Sequence, residues 1–148
     1  MRMRHWIALA VAMAVLFLAT TAPWAQAGTQ KEQTAAKPVP APIPDTDRIR
    51  PNPRPATPAS IASGRQTFSS QCTMCHGASG DGTGDLVSRL KLEMPDFTDR
   101  SLQKTRTDGE LFYILTHGRG RMQGEGDRLS DEMKWDIVNF LRSLGSDI

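Results

Sequence analysis

The chain of 148 residues contains only two cysteines, Cys72 and Cys75. The disulfide network that staples many small exported domains is therefore excluded. So is a lipid anchor on a cysteine near the N-terminus. Surplus charge is missing too. The 18 Lys and Arg stand against 16 Asp and Glu, and Arg2 and Arg4 supply the whole difference. From residue 28 onward the two signs balance, which leaves no electrostatic footprint for nucleic acid. No long apolar run reaches the roughly 18 to 20 residues of a spanning helix. Alternation at strand period is also lacking, so nothing points to a sheet.

The first 27 residues have a different character. Arg2, Arg4 and His5 precede an apolar run from Trp6 to Ala19, and small residues follow to Ala25-Gln26-Ala27. A positive start, an apolar centre and an A-x-A end form a secretory signal, expected to be cut after Ala27. Its retention would instead leave a membrane anchor.

Residues 28–56 read as a linker. Pro38, Pro40, Pro42, Pro44, Pro51, Pro53 and Pro55 crowd this stretch, with Pro58 just beyond. Proline neither donates to a ladder nor continues a helix, so a semi-rigid extended spacer is expected. It would be a plain tail after cleavage, or a stalk if the anchor stays.

The folded unit is then 57–148, small enough to need an added staple. Three helical stretches stand out in it. One follows Thr57 as N-cap with Pro58 at the first helical position, and places Ile61, Gly64 and Phe68 near one face. A second begins at Thr107, where Glu110 completes a capping box, carries Leu111, Ile114 and Leu115, and stops at Gly118. A third runs from Ser130 to Leu144, with Met133, Ile137, Phe140, Leu141 and Leu144 at helical spacing. The fold class expected is all-α with long loops. Such loops are costly unless something fills the middle, and a large apolar cofactor would.

Residues 72–77 read CTMCHG. A disulfide is the ordinary fate of two exported cysteines, but a redox pair of thioredoxin type wants a βαβ setting that these flanks lack. Zinc needs four ligands, and Cys72, Cys75, His76 and the distant His117 fail the usual paired spacing. The remaining reading is C-x-x-C-H, covalent attachment of a c-type haem. On one helical turn, positions i, i+3 and i+4 share a side. Cys72 and Cys75 can then bond the two vinyl groups of one porphyrin while His76 meets the iron.

With "SGRQTFSSQCTMCHG", "TDGELFYILTHGRGRM" and "LSDEMKWDIVNFLRSL" in this order, residues 60–145 resemble the class I c-type cytochromes, the single-haem bacterial type. The resemblance implies a cytochrome c fold of three or more helices wrapped around one haem c. It implies that the first and last helices cross, Gly64 and Phe68 meeting Ile137 and Phe140. It makes Met122 the sixth iron ligand beside His76, although Gln123 stands where the family often has proline. Met94, which precedes Pro95, and His117 are the rival ligands; Met74 lies in the attachment loop, and Met133 is expected in the core. The resemblance also offers the Pro95 carbonyl as partner of the His76 ring. Leu86, Leu90, Phe97, Leu111, Leu115, Leu129 and Trp135 are candidates for the dry shell. Arg119 and Arg121 are expected as propionate partners, as a docking rim, or as loop charges balanced by Glu125 and Asp127.

The function implied is that of a periplasmic one-electron carrier between a donor and an acceptor protein, not an enzyme in itself. The alternatives are a haem subunit of a larger membrane-associated oxidoreductase, or a peroxidase or gas sensor with an open sixth site. Membrane association is expected only if residues 1–27 are retained.

Overall fold

Local signals account for the helix boundaries. In a computed structural model, which describes residues 40–145, α1 covers Asp45–Arg48, α2 Pro58–Gln71, α3 Thr73–His76 and α4 Asp85–Leu90. They are followed by α5 at Arg100–Thr105, α6 at Asp108–His117 and α7 at Asp131–Leu144. Thr57 caps α2 by accepting from the Ser60 amide, and Pro58 needs no partner there. Thr107 and Glu110 form the reciprocal capping box of α6, with N···O distances of 3.1 and 2.9 Å. Ser130 accepts from the Met133 amide at the start of α7.

The fold is all-α, as expected. The exception among the described residues is a two-residue hairpin, β1 (Gly118–Arg119) with β2 (Met122–Gln123), which the sequence did not suggest. Two residues per strand are too few to show a period. The short helices α1, α4 and α5 also escaped the sequence reading, since one turn or two carries no apolar stripe. The signal segment and its cleavage site lie outside the described residues.

The core centres on the crossing of α2 and α7. A Cβ at Gly64 would lie 1.9 Å from the Asp136 carbonyl oxygen, so only glycine lets the two backbones approach this closely. Beside the crossing, the Phe68 and Phe140 rings stand 5.2 Å apart, and Ile137 and Val138 are fully buried. Leu111, Phe112 and Leu115 of α6, together with Leu129, close the cluster. Met133 is the departure from the expected stripe: it is 37% exposed. It sits in the first turn of α7, ahead of the crossing.

Polar groups inside the crossing are mutually satisfied. Asn139 donates to Ser60 Oγ at 2.8 Å, and Ser60 donates to Asp136 Oδ1 at 2.5 Å. Arg54 Nε donates to the same carboxylate at 2.9 Å. Burial by itself would raise the Asp136 carboxyl, but the hydrogen bonds from Ser60 and Arg54 outweigh it and hold the group below the usual range.

Residues 43–56, expected in a spacer, lie along this helical body. Ile43 is buried, and Arg48 O accepts from Thr107 Oγ1 at 2.6 Å. The Arg50 guanidinium covers the Phe112 ring at 4.4 Å, and Asn52 donates to Asn139 at 2.8 Å. The prolines still break helix and ladder, as their chemistry requires. The residues between them, however, supply side chains that the body binds.

Candidate functional site: a turn of two thiols and an imidazole

The motif forms at the junction of α2 and α3. The Cys72 amide closes the last turn of α2 on Phe68 O at 2.9 Å. The Cys72 carbonyl then accepts from both the Cys75 amide (3.2 Å) and the His76 amide (2.9 Å). Residues 72 to 76 are thus one helical turn, which brings the three side chains to one side. Gly77, at φ +76°, ends the turn, and a Cβ there would lie 2.4 Å from Asp81 Oδ1. Both cysteines are unbonded to each other and half-buried. Burial first, then the charge of Glu125 and that of Cys75, pushes the Cys72 thiol up to about 11.

His76 is 9% exposed and lies 5.2 Å from the Phe97 ring and 6.2 Å from Phe68, centre to centre. Burial pushes its pKa down, so the ring is held neutral, the form that ligates a metal. Its Nδ1 is buried without a hydrogen-bond partner. The bond expected from the Pro95 carbonyl is therefore not made; that oxygen lies instead against Gly82. A buried imidazole with an unpaired nitrogen, beside two unbonded thiols on the same turn, fits the demands of a covalently held haem.

Met122 lies in β2, half-buried against the core cluster, which Cys72 also touches. The hairpin seats it: Arg119 pairs with Met122, and Gly118 at φ +79° leaves no room for a Cβ, 2.3 Å from Met122 O. Met94 packs on Gly82, whose amide bonds the His76 carbonyl at 2.8 Å. His117 is exposed, stacked on Tyr113 at 4.2 Å, and its Nδ1 is 3.1 Å from the Tyr113 carbonyl. Met74 is 62% exposed.

Residues 59–141 match the family model described as cytochrome c oxidase, cbb3-type, subunit III, over more than half of the chain. The chain belongs to this family. It carries a class I c-type cytochrome domain, with haem-based electron transfer as its role. The fold is shared with a solved structure: a chain of the Kuenenia stuttgartiensis reducing HAO-like protein complex is 24% identical, with a TM-score of 0.55. The match covers 62% of this chain and 46% of that one, so the chain spans less than half the length of that solved structure. No curated protein matches. Among the described residues, no helix is long and apolar enough to cross a membrane.

Around the cytochrome motif, several side chains depart from expectation. Arg121 donates to Leu90 O at 2.8 Å and so ties the hairpin tip to α4. Glu125 does not balance the loop arginines: it is buried and pairs with Arg128. Trp135 stacks on Phe112 at 4.1 Å, which makes it part of the core. Leu111, Leu115 and Leu129 are buried in the core cluster and Phe97 packs against that cluster, whereas Leu90 is exposed. Sequence reasoning missed the burial of Glu125. The one local hint is its place between two glycines, Gly124 and Gly126.

Proposed function

We propose that the chain is an exported mono-haem c-type cytochrome that passes one electron at a time between a donor and an acceptor protein. The observation carrying this reading is the turn 72–76, with its two unbonded thiols and a buried imidazole nitrogen without a partner. Cys72 and Cys75 hold the group through thioether bonds, His76 ligates the iron, and Met122 is the sixth ligand. Haem bound there supplies a reversible one-electron couple. Met122 is preferred because it is half-buried against the cluster that Cys72 touches, whereas Met94 packs on Gly82 and His117 is exposed. A thioether favours reduced iron more than a second imidazole does and so raises the potential. Leu111, Leu115 and Phe97 keep water out, which lowers the cost of changing the charge.

In this reading, residues 1–27 direct export to the periplasm and are removed, and residues 28–56 lead into the cytochrome domain, 57–148, with the last part of that lead, residues 43–56, bound along it. With two protein ligands on the iron, the domain has no substrate turnover of its own. A place as haem subunit of a larger membrane-associated oxidoreductase is the second reading, favoured by the family's description as an oxidase subunit.

The test is an optical spectrum of oxidised and reduced protein made in a host with haem-attachment machinery. A covalent haem spectrum with a far-red sulfur-to-iron band is expected. Met122→Ala should abolish that band, and Met94→Ala should keep it. A colourless protein would refute the haem assignment. Quantitative carbon monoxide binding by the reduced form at neutral pH would favour an open site, that of a peroxidase or gas sensor.

A further inference from the structure

Glu125 is the buried group that neither the fold nor the haem ligation uses. Its Oε2 is buried without any hydrogen-bond partner, and its Oε1 pairs with Arg128 at 2.5 Å. Leaving a carboxylate oxygen dry and unpaired is costly. Its position is set by the backbone. The Glu125 amide donates to Leu115 O at 2.7 Å, and its carbonyl accepts from the Arg128 and Leu129 amides at 3.0 Å each. The next amide, of Gly126, donates to Thr116 O at 3.1 Å. Gly124 before it could not carry a Cβ, which would stand 2.3 Å from Thr116 O. The loop is thus clamped to α6 on both sides of the carboxylate. Arg128, the compensating charge, is 61% exposed at its side chain and is screened by water. Glu125 remains the charge on the inside: its backbone is bonded to Leu115 and Leu129, members of the cluster against which Cys72 and Met122 pack, and its charge contributes to the rise of the Cys72 thiol.

We propose that Glu125 is an electrostatic tuning residue, whose buried carboxylate lowers the reduction potential of the haem joined to Cys72. This rests on the haem reading above. Oxidised iron carries one more positive charge than reduced iron, so a nearby fixed anion favours the oxidised form. Glu125 therefore opposes the effect of Met122, and the potential is the balance of the two. One partly buried unit charge at an effective dielectric of about 20 changes such an equilibrium by on the order of tenfold.

The experiment is a redox titration of full-length holoprotein against a reference couple. Glu125→Gln removes the charge with little change of shape. It should shift the equilibrium about tenfold toward the reduced form, about 59 mV for a one-electron couple, with the absorption spectrum and far-red band unchanged. Glu125→Asp keeps the charge and should stay within about twofold of the parent at this dielectric. Should Glu125→Gln fail to hold haem, Glu125→Met, uncharged and of similar size, is read by the same criterion. An unchanged potential in the uncharged variant overturns the proposal, and so does an equal shift in Glu125→Asp, which would make shape the cause. A colourless parent protein would overturn the haem reading itself; a coloured parent whose potential ignores Glu125 overturns this inference alone.

Discussion

Replacing Gly64 with alanine puts one methyl group where α2 crosses α7. That Cβ would stand 1.9 Å from Asp136 O, 2.4 Å from Asp136 C and 2.9 Å from Ile137 N. All three are backbone atoms of a helix interior and cannot rotate away. Restoring ordinary contact requires the helices to part by more than roughly 1 Å, a gap that forfeits a quarter to a half of each dispersion contact beside it. The Phe68–Phe140 pair and Ile137 lie beside it, as does the Ser60–Asp136 hydrogen bond. Overpacking of a core costs about 1 to 3 kcal/mol, and an immovable obstacle places this case at the upper end. Alanine returns about 1 kcal/mol through its better helix propensity. The net loss is about 2 kcal/mol, which lowers Tm by about 10 °C in a domain of this size. Thermal unfolding of the holoprotein by circular dichroism measures it. Gly120→Ala is the control: its Cβ meets nothing within 4 Å, and only its φ of +60° is strained. A Gly64→Ala melt within 2 °C or so of the parent would refute the reasoning, because no 2 kcal/mol loss could then be present.

Two further outcomes concern stability. Asp136 has a folded pKa below its unfolded value, so its contribution is complete above about pH 4 and is lost as pH falls through the folded value. Asp136→Asn should lower the neutral-pH urea midpoint and flatten its fall on the acid side; an acid limb identical to the parent's would contradict this. Thr107→Ala removes the cap of α6 and the hydroxyl that donates to Arg48 O, and should cost about 1 to 2 kcal/mol, read as a lower denaturant midpoint at unchanged slope.

The helix ends were legible because their signals are short. Thr57-Pro58, the Thr107/Glu110 box and Ser130 act over three or four residues, and each was found where the sequence placed it. The helical turn of Cys72 to His76 was legible for the same reason. Gly64 was legible only through the resemblance, since one glycine in a helix does not name what crosses it. Met133 misled because its spacing fits the stripe while its turn lies ahead of the crossing. The Arg50 stack on Phe112 and the Asn52–Asn139 bond join residues more than 60 positions apart. Proline content, which governs local backbone shape, carries no information about such partners.

The amino-acid order alone determined which groups occupy one turn and where helices begin, because those outcomes depend on bonds between near neighbours. Tertiary packing alone decided that Glu125 is buried, that Met133 is exposed, and that residues 43–56 lie on the body. Burial is a property of what arrives from elsewhere in the chain, and a side chain's charge or ligand chemistry is reshaped only once that surrounding exists.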